Sequence, residues 1–143
     1  MAATQRLSCS MRNVASRSPS SARLFSTTRP TRVVHSITSS SSFSSLLSSQ
    51  TTKPAIIDFT ATWCPPCKVI GPVFAKLSDQ AVFKDTVDFY KVDVDEVPEV
   101  AQQCGVRAMP TFVVFEGGEK KGEMVGADPG GLQRLVEKHA KKQ

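Results

Sequence analysis

The segment Trp63-Cys64-Pro65-Pro66-Cys67 constrains this chain more than any other stretch of it. A compact apolar run, Ala55–Phe59, precedes it and an amphipathic run follows it. The two thiols therefore stand where a strand hands over to a helix. Helical i, i+3 neighbours have Cβ atoms about 5–6 Å apart, and a disulfide needs about 3.5–4.5 Å. A small local adjustment opens or closes a bond between Cys64 and Cys67. Pro65 and Pro66 stiffen the loop and pre-set φ for a helix start. Cys64 is expected to be the accessible nucleophile, because unpaired N–H groups and the macrodipole at a helix N-terminus favour a thiolate. Lys68 adds a weaker positive influence. Cys67, one turn deeper, is expected to be shielded and to resolve the mixed disulfide.

Two other chemistries compete for a Cys-x-x-Cys pair. Half of a structural zinc site would need four ligands; Cys104, His35 and His139 are the remaining candidates and show no partner spacing. A cysteine protease would need a histidine in a recognisable local pattern, and neither histidine has one. No metal is expected. Cys104 falls on the apolar face of a short helix, which suits a buried small hydrophobe; the alternative is a third redox-sensitive thiol.

The formal charge of +5 suggests an acidic partner only until the charges are located. All thirteen acidic residues lie at Asp58 or later, whereas Arg6, Arg12, Arg17, Arg23, Arg29 and Arg32 precede every one of them. Setting those six aside leaves twelve of the eighteen basic residues against thirteen acids, so no nucleic-acid surface is implied. Residues 1–32 are Arg-rich, Ser-rich and acid-free, the composition of an organellar transit peptide, and are expected to be disordered. Leu7, Met11 and Val14 fall at i, i+4, i+7, and Arg23-Leu24-Phe25-Ser26 resembles an arginine-led mitochondrial cut site. The mitochondrial matrix is the expected destination, with chloroplast or cytoplasm as alternatives. Nothing approaches the roughly 18 consecutive apolar residues of a membrane span. Residues 33–143 suit one monomeric domain.

The expected elements are a strand at Val33–Ile37, a helix at Ser39–Gln50 and a strand at Ala55–Phe59. The principal helix runs from Cys64 to about Val82, with Val69, Ile70, Val73, Phe74 and Leu77 as its apolar stripe and a kink at Pro72. A strand at Val87–Val92, a short helix from Val97 to Cys104 and a hairpin follow. The hairpin is Thr111–Phe115 and Lys120–Val125, turning at Gly117-Gly118. Asp128 and Pro129 start a last helix whose buried face is Leu132, Leu135 and Val136. His139 and the Lys138–Lys142 cluster read as its solvated end. The order is an α/β fold with a central mixed sheet flanked by helices.

This order, with Trp-Cys-x-x-Cys after the second strand, resembles the thioredoxin family, the type case of that motif. The resemblance covers about Val33 to the C-terminus. It rests on Asp58-Phe59, Trp63–Lys68, Pro72, Lys91 through Asp95, Met109-Pro110-Thr111, Gly118 and Gly126-Ala127. It implies the thioredoxin fold and a protein-disulfide reductase without a bound cofactor. Electrons would come from NADPH through thioredoxin reductase, and clients would be disulfide-containing proteins such as peroxiredoxins. Asp58 would then be the proton acceptor for Cys67, against an edge-exposed polar residue as the plainer reading. Pro110 would be cis, against an ordinary strand-entry proline. Trp63, Pro66, Met109, Thr111, Val125, Gly126 and Ala127 would form a shallow substrate groove. The chain departs from the commoner pattern at Pro65, where glycine is usual, and at Thr60, where an aromatic is frequent. The first bears on redox tuning, the second on packing. The rival readings are a more oxidising oxidase or isomerase and a redox-dependent scaffold module.

Overall fold

The computed structural model describes residues 34–49 and 53–140. The leader readings, Cys9 and the Ser26 region included, lie outside these residues, as do Gln50, Lys141 and Lys142. The elements are β1 (Val34–Ile37), α1 (Ser40–Ser49), β2 (Ala55–Thr60), α2 (Pro65–Ser78), α3 (Ala81–Lys84), β3 (Asp88–Asp93), α4 (Pro98–Gln103), β4 (Thr111–Glu116), β5 (Glu119–Val125) and α5 (Pro129–Ala140).

The five strands form one sheet in the order β1-β3-β2-β4-β5. β1, β3 and β2 run parallel, and β4 and β5 return antiparallel. β2 lies in the middle with all six residues buried, as expected of a strand covered on both faces. Its alternation sorts the core. Ile57 and Phe59 join Phe43, Val100 and Val113 on the side of α1 and α4. Ile56 joins Ile70, Phe74, Phe112, Leu132 and Val136 on the side of α2 and α5. The mixed sheet flanked by helices is the expected architecture.

The serine run from Ser39 is helical because Ser39 caps its first turn and an apolar face is buried. Ser39 Oγ accepts from Ser42 N at 3.2 Å, and Ser44 and Ser48 donate to carbonyls four residues back. Phe43 and Leu46 supply the buried face. At the hairpin, Gly117 and Gly118 have φ of 60° and 80°, the left-handed pair that a two-residue turn requires.

Three expectations are corrected. The principal helix passes through Pro72 but ends at Ser78, not Val82: Gln80 adopts φ −70° and ψ 130° before α3 begins. That break turns Phe83 into the core beneath α2. Val69, assigned to the apolar stripe, is 68% exposed; the buried face instead follows Cys67, Ile70, Phe74 and Leu77.

The third correction concerns His139, which is buried rather than solvated. It extends the Leu132–Val136 stripe by one further helical step, and its Nδ1 meets Glu116 Oε1 at the end of β4. Gly122 on β5 makes room for the ring, since a Cβ there would lie 3.0 Å from His139 Nε2. Gly122→Ala should therefore lower unfolding stability by roughly 1–3 kcal/mol. The loss should be largely absent when the same change is made in a His139→Ala background, a coupling readable by urea denaturation of the four proteins.

Candidate redox site

The carboxyl end of β2 delivers the chain to Ala61 and then to the start of α2. Cys64 is the N-cap residue of α2, and Pro65 and Pro66 fill the first helical positions. Those prolines carry no N–H, so Cys67 supplies the first free donor of the helix. Its N–H points at Cys64 Sγ at 3.3 Å. Cys64 and Cys67 form a disulfide across a Cα–Cα distance of 5.4 Å.

Both cysteines are enclosed in this oxidised state, Cys64 at 3% exposure and Cys67 at 5%. The expected contrast between an accessible and a shielded sulfur is absent here. Ala61 closes one side of the pair, and Met109 and Val94 pack against the rest. What separates the two sulfurs is their place on α2: one caps its end, the other lies on its buried face.

Asp58 sits in the central strand, 3% exposed. Its register partners are Lys91 on β3 and Phe112 on β4. Strand alternation turns it to the face that carries Ile56, Phe112 and α2, the layer where Cys67 is buried. The edge-exposed reading of Asp58 is thereby excluded. Burial pushes its carboxyl pKa from 3.8 up to about 7, while the positive charge of Lys91 acts in the opposite direction. Among the described residues Asp58 Oδ1 has no hydrogen-bond partner.

The second loop of the site comes from the far side of β2. The Met109–Pro110 peptide is cis, and Thr111 Oγ1 donates to Ala108 O at 2.6 Å. Thr111 pairs with Val125 across the β4–β5 ladder. Gly126 N then donates to Pro110 O at 2.8 Å, and Gly126 takes φ of 101° to reach it. Met109, Pro110, Thr111, Val125 and Gly126 are thus brought together, with Ala127 packed against the neighbouring core. Trp63 is 63% exposed, yet it is held in place: its Nε1 donates to Asp95 Oδ2 at 2.8 Å. Asp95 is a partner that sequence reasoning left without a role, although it lies in the quoted Lys91–Asp95 segment. Lys68 is exposed on the first turn of α2, where its N–H donates to Cys64 O.

Cys104 is buried, and burial is the main cause pushing its thiol pKa up to about 11. A protonated thiol in the core behaves as a small hydrophobe. Among the described residues, no group of three or more His, Cys, Asp or Glu side chains is placed to hold a metal ion. Nor is any described helix long and apolar enough to cross a membrane.

A model of the family described as Thioredoxin matches residues 33–138. The chain belongs to the thioredoxin family. Thioredoxin of Malassezia sympodialis is 57% identical over 88 residues, covering 62% of this chain and 83% of that one. A crystal structure of Malassezia sympodialis thioredoxin superposes with a TM-score of 0.72 at 50% identity, covering 78% of this chain and 94% of that one. Thioredoxin-2 of Pyricularia oryzae is 46% identical over 121 residues, 85% of this chain and 68% of its own length. Mitochondrial thioredoxin 3 of Saccharomyces cerevisiae, in its oxidised form, has a TM-score of 0.66 at 38% identity, covering 73% of this chain and 94% of that one. The chain is a thiol-disulfide oxidoreductase that reduces protein disulfides through the Cys64–Cys67 pair, and as a member of this family it needs no bound cofactor to do so.

The buried carboxyl makes a prediction of definite sign. The folded state holds the Asp58 proton more tightly than the unfolded chain does, so this group lowers stability as pH rises from about 4 to about 7. Asp58→Asn removes that penalty. Its stability advantage over wild type should be near zero at pH 4 and grow to at most ~4 kcal/mol above pH 7. Urea unfolding of the oxidised proteins at both pH values tests this; an advantage independent of pH would contradict it.

Proposed function

We propose that this chain is the precursor of a mitochondrial thioredoxin, in which Cys64 attacks a protein disulfide and Cys67 resolves the intermediate. One observation carries the reading: Cys64 Sγ caps α2 and accepts the first free N–H of that helix, from Cys67, at 3.3 Å. A donor already aimed at this sulfur favours its thiolate, which is the attacking species.

The cycle begins with the reduced pair. Cys64 thiolate attacks one sulfur of the client disulfide, forming a mixed disulfide and releasing the other client sulfur as thiolate. Cys67 gives up its proton and attacks Cys64 Sγ, which expels the second client thiolate and leaves the Cys64–Cys67 disulfide. Two electrons pass from the dithiol to the client. Asp58 is the acceptor of the Cys67 proton: a carboxyl with a pKa of about 7 exchanges protons readily near neutral pH. The cis Met109–Pro110 loop, Trp63, Pro66 and the Val125–Ala127 segment present a client-binding surface on which Trp63 is fixed by Asp95. Electrons return from NADPH through thioredoxin reductase, and peroxiredoxins are among the clients.

The leader composition supports import, with the leader cut near Ser26 before the domain from Val33 functions as a monomer in the matrix. The match to Pyricularia oryzae thioredoxin-2 runs over 121 residues. That exceeds the span from residue 33 to 143, so the likeness reaches into the leader.

Turnover of insulin with NADPH and thioredoxin reductase tests the cycle. Cys64→Ser should lose more than a hundredfold in rate. Cys67→Ser should accumulate a covalent client adduct on Cys64, visible by mass spectrometry. In single turnover at pH 7, Asp58→Asn should slow client release roughly ten- to a hundredfold while sparing the initial attack; an unchanged release rate would remove Asp58 from the mechanism. Incubation with isolated mitochondria should yield a new N-terminus near Ser26.

A further inference from the structure

We propose that Val69 on α2, with Pro65 and Pro66 one turn before it, forms an apolar shelf that selects among protein clients. The favoured client carries an aliphatic or aromatic side chain about two or three residues from the attacked cysteine. This rests on the proposed attack by Cys64 and names the client class that such an attack favours. Val69 is the large apolar side chain that α2 leaves unused: the helix buries Cys67, Ile70, Phe74 and Leu77, while Val69 is 68% exposed. Trp63, Val82 and Val125 are the other exposed large hydrophobic side chains among the described residues. Trp63 adjoins Cys64, and Val125 pairs with Thr111 beside the cis Met109–Pro110 peptide. Val82, on α3, stands past the far end of α2. A lone exposed valine needs no explanation; a group of apolar side chains around one reactive bond does.

Helix geometry joins these residues. Pro66 and Pro65 are the i−3 and i−4 neighbours of Val69, and a helical side chain leans over the turn that precedes its own Cα. Both prolines are exposed, and their rings hold the turn in place. Lys68, Gly71 and Ala75 border a cleft toward β3, which leaves Val69 and Val73 on the opposite flank, toward α5. There Val73 packs against the same core as Ala127. The shelf therefore continues the surface that Pro66 and the Val125–Ala127 segment present to clients.

Covalent chemistry names the occupant. In the mixed disulfide the client sulfur is bonded to Cys64 Sγ, so the adjoining client chain must cross the surface around that sulfur. Along the helix, Val69 lies about 7–8 Å beyond Cys64, and an extended client advances about 3.3 Å per residue. The second or third residue from the client cysteine thus meets the shelf. Proline and valine side chains carry no hydrogen-bonding group. Burying an apolar client side chain against them is favourable, and burying a polar one is not.

Single-cysteine peptides, each blocked as a mixed disulfide with 2-nitro-5-thiobenzoate, test the shelf on the reduced full chain carrying Cys9→Ser. Cys64 thiolate attacks the peptide sulfur and expels coloured thiobenzoate, so absorbance gives the rate of attack. Leucine or serine is placed two or three residues before or after the cysteine. At sub-saturating peptide, the best leucine peptide should react roughly fivefold faster than its serine counterpart. Val69→Ser should bring that ratio to within about twofold of unity, Val69→Ile should keep it, and Val69→Glu should shift the preference to a lysine peptide. Each ratio is taken on one protein, so a change in thiol reactivity or in the folded fraction cancels. Absence of a leucine preference at every position, or a preference that survives Val69→Ser, would overturn the proposal and leave the cycle standing. A fast phase that survives Cys64→Ser would instead fail the cycle itself, and the shelf with it.

Discussion

The central strand β2 is the constraint on which the rest of this molecule depends. Every one of its residues is buried between two helical layers, and its carboxyl end stops where α2 begins. A strand held by neighbours on both edges cannot drift, so the thiols that follow it are placed by the sheet rather than by their own loop. The antiparallel neighbour β4 is registered to the same strand and carries the cis-proline loop to the same end. Two segments almost fifty residues apart thus converge on one disulfide because both are anchored to β2.

The same burial sets a conflict inside the strand. Asp58 contributes an ionisable carboxyl to a layer otherwise made of Ile56, Phe112, Ile70 and Phe74. An apolar residue of similar size would stabilise the fold at neutral pH, because a buried carboxylate loses its hydration and Lys91 offsets only part of the loss. Stability surrendered at one position of an otherwise apolar strand is the usual mark of a functional group.

Much of this was legible from residues alone, and the failures have specific causes. The Ala55–Phe59 run, the Gly117-Gly118 turn and the Asp128-Pro129 helix start each combine a local propensity with a clear apolar pattern, and each was located within a residue or two. The apolar period of α2 continues past Ser78 and so suggests one long element. The extended backbone at Gln80 leaves no mark in a hydrophobic pattern. Val69 matched the stripe by spacing, but a three-to-four-residue period admits more positions than one face of the sheet can cover. The lysine neighbours of His139 suggest a solvated helix end. Its i+3 spacing from Val136 carried the opposite signal, and the room left by Gly122 decided in favour of that signal.

The sequence by itself determined the chemistry: two thiols one helical turn apart, prolines that leave a single early donor, and an order of strands and helices compatible with one sheet. These are local properties, readable because covalent spacing and backbone preference act over a few residues. Tertiary structure alone decided that both sulfurs are enclosed in the oxidised state, that Trp63 is tethered by Asp95, and that Lys91 stands beside Asp58 in register. Each of these rests on groups brought together by strand pairing and layer packing, and distances across a sheet are not encoded in the spacing along the chain.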